Sequence, residues 1–246
     1  MTSADYHASR SGPTAPEAPH PKVVAVIPCL NCAATVGVVA KDAAAYVNAV
    51  LVVDDGSADE TSARAREAGA EVIRHPLRRG KGCALQTGLE WARDHGFTHV
   101  FTVDGDGQHL AGEMPALLEA SAAEPRAIVL GERSREGHVI SPMKLFGNRF
   151  ANRWVEIASG RWFDDTQSGF RIYPVKETLA LGGHASHYGW ETEALIRALR
   201  AGMPVVCRTV KAYYPPADER ISYYRPWIDT IRIIFIVLGL IWGFRR

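Results

Sequence analysis

The chain has 246 residues, of which 28 are basic and 27 acidic, with 47% hydrophobic residues and four cysteines. That length suffices for one large α/β domain with a sizeable core, and the near balance of charge gives no general support for a nucleic-acid partner. Cys29, Cys32, Cys83 and Cys207 are too few and too scattered for a disulfide framework, so a reducing compartment is expected.

Residues 1–21 are rich in Ser, Ala and Pro and hold no apolar run of the kind a secretory signal needs, which predicts a disordered tail. Val23–Ile27 then reads as a first strand, stopped by Pro28. Cys29 and Cys32 form a C-x-x-C just beyond it. No second pair completes a zinc site, and the intervening Leu30-Asn31 gives no reason to expect thiol chemistry. A helix is predicted over Ala33–Val47 and a second strand over Val50–Val53, ending in Asp54-Asp55-Gly56-Ser57. Ser57 and Glu60 have the spacing of a capping box at the start of the next helix. A third strand, Ala70–Ile73, precedes the basic loop Arg78-Arg79-Gly80-Lys81-Gly82 and a helix from Cys83 to His95. Strands alternating with helical stretches predict right-handed βαβ units and an α/β fold, with a mainly parallel open sheet flanked by helices. No G-x-G-x-x-G follows the first strand and no G-x-x-x-x-G-K-[ST] occurs anywhere, which disfavours a nicotinamide oxidoreductase and a P-loop phosphotransferase.

The fourth strand, His99–Val103, runs into Asp104-Gly105-Asp106-Gly107-Gln108-His109. Two carboxylates at i and i+2, with glycines beside them, can turn toward one point. Hard cations such as Mg2+ or Mn2+ take oxygen ligands and borrow the rest of their shell from substrate phosphates and water. The carboxyl end of a strand in an open α/β sheet is also where such folds bind ligands. A solvated Asp/Gly turn is the alternative for a D-x-D taken alone.

Downstream, Ala127–Gly131 reads as a strand closed by Glu132-Arg133-Ser134. Met143, Phe146, Phe150, Trp154 and Ile157 recur near helical spacing. Asp164–Arg171 is a polar turn entering a short strand, and Tyr188–Glu191 opens a helix to Ala201. Val205–Cys207 and Val210–Tyr213 read as strand pieces. From Ile233 to Trp242 every residue except Gly239 is strongly apolar. A spanning helix needs about 20 such residues, so the run predicts a membrane-interfacial helix anchored by Trp227, Trp242 and flanking arginines, with a buried helix as the alternative. The expected organisation is a tail at 1–21, one domain at 22–218 and an apolar helical segment at 219–246.

Taken together, Pro28-Cys29-Leu30-Asn31, Val53-Asp54-Asp55-Gly56-Ser57 with Asp59 and Thr61, Gly80-Lys81-Gly82, Asp104-Gly105-Asp106-Gly107-Gln108-His109 and Ser168-Gly169-Phe170-Arg171 resemble family-2 glycosyltransferases, and within them the dolichyl- or polyprenyl-phosphate sugar synthases. The likeness runs from Val23 to Tyr214. It implies the GT-A nucleotide-sugar-binding fold, a divalent metal, and transfer of one sugar with inversion. The implied metal ligands are Asp104 and Asp106, with Gln108 as a neutral ligand or outer donor; the ion would offset the charge that grows on the departing diphosphate. Lys81 is implied on the same phosphates, Asp54 and Asp55 on base and ribose, Pro28 and Asn31 in the wall behind the base, and Gly105 in the donor loop.

The acceptor decides the subclass. A GDP- or UDP-sugar donor with a polyprenyl phosphate acceptor, met at the cytoplasmic face of a membrane, calls for cations. Arg133 and Arg149 match the phosphate-binding arginines of the lipid-phosphate synthases. A hydroxyl acceptor calls instead for a general base, for which Asp165 is the candidate. Ser168 and Gly169 are implied below the sugar, and Arg171 and Arg220 as late contacts to donor phosphates. Outside this class stand a sugar nucleotidyltransferase, whose Gly-rich loop after the first strand is missing here, and a nucleotide-sugar-binding module without catalysis.

Overall fold

The computed structural model describes residues 21–134, 142–183, 189–213 and 234–240. Seven strands form one sheet in the order β3-β2-β1-β4-β6-β5-β7. They are β1 (Val23–Cys29), β2 (Ala49–Asp54), β3 (Glu71–Arg74), β4 (His99–Thr102), β5 (Ile128–Arg133), β6 (Arg171–Pro174) and β7 (Val205–Val210). The helices are α1 (Val36–Ala44), α2 (Thr61–Glu67), α3 (Lys81–Asp94), α4 (Met114–Ala123), α5 (Pro142–Ser159), α6 (Val175–Ala180) and α7 (Trp190–Arg200). Pairing is parallel throughout except around β6, which runs antiparallel to both β4 and β5. The sheet is thus the mainly parallel one expected.

Side chains alternate across the strands into two apolar layers. Val24, Val26, Leu51 and Val53 face one core with Leu85 and Leu89 of α3 and Leu195 of α7. Val23, Ala25, Ile27, Val50 and Val52 face the other with Val36 and Val39 of α1 and Leu117 of α4. Burial on both faces is why the strands read as unbroken apolar runs. Helix α3 lies close on β1 because Gly88 has no side chain: a Cβ there would sit 2.4 Å from Val26 Cγ1. Gly88→Ala is expected to destabilise the fold by about 1–3 kcal/mol through overpacking. Denaturant unfolding checks this, and Val26→Ala in the same chain should recover part of the loss.

Several elements differ from expectation. Pro28 lies inside β1 instead of ending it. Val26 O accepts from Val103 N–H on the β4 side and Cys29 O from Asp55 N–H on the β2 side, so the N–H that Pro28 lacks would point toward β4, beyond the last pair, Val26–Thr102. Ser57 and Glu60 form no capping box. Helix α2 begins at Thr61, whose N–H is taken by Asp59 Oδ1 at 3.0 Å, and Ser57 Oγ accepts instead from Asn31 N–H at 2.8 Å. Helix α5 forms, but Ala151, Asn152, Val155 and Ala158 are the buried positions among its described side chains, and Ile157 is 54% exposed. Helices α4 and α6 lie where no element was predicted. In the apolar carboxyl run, residues 234–240 are helical. There Val237 is buried in the core and Phe235 is 70% exposed, while the rest of that run, with Trp227 and Trp242, lies outside the described residues.

Candidate active site

In chain order the sheet grows outward from β1 to β2 and β3, then returns to β4 on the other side of β1. The crevice at the carboxyl ends of β1 and β4 is therefore a topological switch point, the place where open α/β sheets bind ligands. The loop from Asp104 to His109 leaves β4 there.

Asp104 is the centre of a charge cluster drawn from three elements. Lys81, at the start of α3, places Nζ 2.6 Å from Asp104 Oδ1 and 3.1 Å from Glu191 Oε1 in the first turn of α7. His109 Nε2 is 3.6 Å from Asp104 Oδ2, and its ring stacks on Phe170 at 4.8 Å. Burial by itself raises the carboxyl of Asp104, but Lys81 and then His109 outweigh it and hold Asp104 well below the usual carboxylate range. Burial and the charge of Asp104 push Asp106 upward, against the hydrogen bonds it accepts. Those come from Gln108, whose backbone N–H reaches Asp106 Oδ1 at 3.0 Å and whose side-chain amide reaches Oδ2 at 2.9 Å. Gln108 here acts as a donor to Asp106. Gly169 packs against this group: a Cβ on it would lie 2.5 Å from Asp104 Oδ2 and 2.8 Å from Lys81 Nζ.

The first two loops are laced together. Asn31, with φ 52°, accepts from Ala58 N–H through Oδ1 at 2.8 Å. Cys32 N–H donates to Thr61 Oγ1 at 2.8 Å and Ala33 N–H to Asp59 Oδ2 at 3.0 Å. Asp54 and Asp55, expected on ribose and base, point inward, at 0% and 4% exposure. Asp54 accepts from Ser57 N–H at 2.8 Å and from the Ser62 hydroxyl. Asp55 accepts from Arg79 N–H at 2.8 Å and Gly80 N–H at 2.7 Å, and its Oδ1 lies 2.8 Å from His75 Nδ1. As placed, they shape the turn and fix the loop that delivers Lys81.

On the other side of the crevice, Arg133 at the end of β5 and Asp165 form one ion pair. Arg133 Nε meets Asp165 Oδ2 at 2.6 Å and NH2 meets Oδ1 at 3.0 Å. Burial raises the Asp165 carboxyl, but Arg133 overcomes it and holds Asp165 below its ordinary value. Ser168 is fully buried, with its Oγ accepting from Phe170 N–H at 3.3 Å. Arg149 is exposed on α5. Arg171, expected on donor phosphates, is 0% exposed. Its guanidinium donates to Ser168 O at 2.8 Å, Glu191 O at 2.9 Å and Thr166 O at 2.7 Å, so it fastens the turn under the site and does not face the crevice. Arg220 lies outside the described residues.

The family model for glycosyl transferase family 2 matches residues 24–182. The chain belongs to this family. Glycosyltransferase AglJ of Haloferax volcanii is 31% identical over 89% of this chain and 72% of its own. Polyprenol monophosphomannose synthase of Mycolicibacterium smegmatis is 29% identical over 64% of this chain and 63% of its own. Among solved structures, glucosyl-3-phosphoglycerate synthase from Mycobacterium tuberculosis, in complex with Mn2+, uridine diphosphate and phosphoglyceric acid, superposes with a TM-score of 0.70 at 22% identity, covering 89% of this chain and 78% of the other. The fold is the GT-A-like one that the sequence motifs imply.

In this glycosyltransferase the donor set suits a hard cation. The charge of Asp104 raises the cost of charging Asp106 in the same crevice, a cost that a cation between them would offset. Among the described residues no cluster of three or more His, Cys, Asp or Glu completes a shell, so the remaining positions fall to phosphate oxygens and water. Two members of the cluster had no role assigned from sequence. His109 sits inside a recognised motif, but its approach to Asp104 depends on stacking against Phe170. Glu191 is 110 residues from Lys81, and only its place in a first helical turn marks it in the sequence.

Proposed function

We propose that this glycosyltransferase moves a sugar, with inversion, from a GDP- or UDP-sugar to a polyprenyl phosphate presented at the cytoplasmic surface of a membrane. The observation that carries this is the bidentate bond between Arg133 and Asp165. A hydroxyl acceptor needs a base with a pKa near the working pH, and Asp165 is held below its ordinary range by Arg133. A phosphomonoester arrives largely ionised and needs no base. It needs an oriented cation, and Asp165 fixes the plane of the Arg133 guanidinium. The name of the mycobacterial relative, a polyprenol monophosphomannose synthase, agrees with this acceptor.

On the donor side Asp104 and Asp106 would hold Mg2+ or Mn2+, which supplies Lewis-acid stabilisation of the leaving diphosphate. Lys81 lies against Asp104 and adds a fixed positive charge for the same phosphates. Asp55 holds the Arg79-Gly80 backbone that presents Lys81, and Asn31 ties the first loop to the second behind the base. Gly169 leaves room for the carboxylate of Asp104. No helix among the described residues is long and apolar enough to cross a membrane; the exposed Phe235 next to the buried Val237 supports attachment at the surface instead.

The test incubates purified protein with Mg2+ or Mn2+, a panel of nucleotide sugars, and either a short polyprenyl phosphate or hydroxyl acceptors, and identifies the products. The expected result is a glycolipid with an equal amount of nucleoside diphosphate, no pyrophosphate, and loss of turnover in EDTA. Arg133→Ala should lower kcat/KM for the lipid phosphate roughly 10- to 100-fold, the worth of a charge-assisted hydrogen bond. Transfer to hydroxyl acceptors alone, abolished by Asp165→Asn, would overturn the acceptor assignment, and release of pyrophosphate would overturn the reaction class.

A further inference from the structure

Beneath the acidic loop lies a pair of thiols that the transfer reaction does not use. Cys29 closes β1 and is buried, Cys32 precedes α1 and is half-buried, and neither is in a disulfide. Between them Asn31 adopts φ 52°, a left-handed conformation that Asn tolerates and that turns the chain back on itself. The turn brings both thiols back against the neighbouring loop, with the Cys32 thiol donating to Leu30 O at 3.5 Å. Both press on one residue of the neighbouring loop: a Cβ built on Gly105 would lie 2.6 Å from Cys29 Sγ and 3.4 Å from Cys32 Sγ. Thr35 Oγ1 donates to Gly105 O at 2.5 Å. The segment from Cys29 to Thr35 is therefore the floor on which the link between Asp104 and Asp106 rests.

We propose that Cys29 and Cys32 are an oxidisable dithiol, and that closing it to an intramolecular disulfide displaces Gly105 and weakens cation binding by the loop. The second half rests on the reading of Asp104 and Asp106 as the cation ligands; the first half does not. The geometry divides the roles. Cys32 is the more accessible; the neighbouring Cys29 thiol holds it below its ordinary value against burial, while Cys29 is raised by Cys32 and by burial. The Cys32 thiolate attacks a small-molecule disulfide such as glutathione disulfide, forming a mixed disulfide and expelling one glutathione thiolate. Cys29 then gives up its proton and attacks the Cys32 sulfur, expelling the second glutathione. Two protein thiols are oxidised by two electrons, one disulfide is reduced to two thiols, and the balance closes. Closure brings the two sulfurs to about 2.05 Å from each other. Gly105 lies against both sulfurs, and in this proposal it shifts as they close.

The wild-type protein suffices for the test. Trypsin cleavage at Lys22 and Lys41 leaves both cysteines, and no others, in one peptide. After treatment with glutathione disulfide, that peptide should lose the mass of two hydrogens and resist alkylation, and a dithiol reductant should reverse the change. Direct Mn2+ binding, followed by electron paramagnetic resonance without substrate, should weaken at least about tenfold on oxidation. Cys32→Ser should bind Mn2+ equally in both conditions. Persistence of free thiols, or arrest at a glutathione adduct on Cys32, would overturn the dithiol and leave the pair as packing under Gly105. Closure with unchanged Mn2+ affinity would overturn the coupling. Absence of Mn2+ binding by the reduced protein would overturn the cation-site reading, and the coupling with it, while the peptide mass still decides the dithiol.

Discussion

Gly169→Ala should cost this glycosyltransferase nearly all its activity while leaving the chain folded. The added methyl would lie 2.5 Å and 2.7 Å from the two carboxylate oxygens of Asp104 and 2.8 Å from Lys81 Nζ. None of these atoms can withdraw cheaply. Asp104 is tied to Lys81 at 2.6 Å, Lys81 is held from its other side by Glu191 at 3.1 Å, and the peptide of Gly169 is bonded through its own O to the Thr102 hydroxyl at 2.7 Å. Displacing a reacting group by about 1 Å costs on the order of a hundredfold in rate. Here an anionic ligand and a cationic partner move together, so kcat/KM should fall by about a hundred- to a thousandfold. The backbone at Gly169 carries no left-handed φ, so the loss of stability comes from overpacking alone, about 1–3 kcal/mol, which lowers the melting temperature but leaves the chain folded. Near-normal turnover in the alanine variant would mean that the Asp104–Lys81 arrangement is not the one that carries the reaction.

That prediction was out of reach of the sequence, and the reason is physical. The sequence placed Asp104 and Asp106 correctly at a strand end because both faces of β4 are buried, and a buried strand must stop where carboxylates begin. It placed Lys81 in a loop but not against Asp104, because their meeting depends on α3 crossing over β1 through the small residue Gly88. Glu191 and Gly169 reach the cluster only through the antiparallel β6 and the helix α7, and neither local periodicity nor motif spacing records which strand neighbours which. The pair Asp54-Asp55 illustrates the opposite case. The motif was plain, but Asp54 is turned inward by Ser57 N–H and the Ser62 hydroxyl, and the direction of Asp55 is decided by backbone N–H groups of Arg79 and Gly80, some 25 residues away. Pro28 misled for a simpler reason: proline stops a strand only where its missing N–H had a partner to lose.

The cluster around Lys81 also bears on how a cation would enter the crevice. A positive charge already rests on Asp104, so an arriving cation must displace Lys81 or share the carboxylate with it. Glu191, buried at 6% exposure, gives the ammonium a second anchor when it leaves Asp104. A lysine released in this way would remain near Asp104, held by Glu191.

Replacing Arg171 tests whether the turn under the sugar is held from below. Its side chain is 0% exposed, and the guanidinium donates at 2.7–2.9 Å to the carbonyls of Thr166, Ser168 and Glu191 and at 3.3 Å to the Tyr173 hydroxyl. Arg171→Met fills much of the volume but leaves three buried carbonyls without this donor, each at a cost of about 1–3 kcal/mol. Against a total stability of about 5–15 kcal/mol, a loss of several kcal/mol should leave the protein largely unfolded or aggregating at 37 °C. Arg171→Lys should rescue little, because a single ammonium cannot reproduce the planar fork that reaches carbonyls on two elements. Denaturant melts and expression yield check the stability. Isothermal titration of a nucleoside diphosphate with Mn2+ checks the alternative: a variant that melts normally but fails to bind nucleotide would make Arg171 a phosphate contact after all, and would require this buried side chain to reach the crevice by reorganising the turn from Thr166 to Gly169.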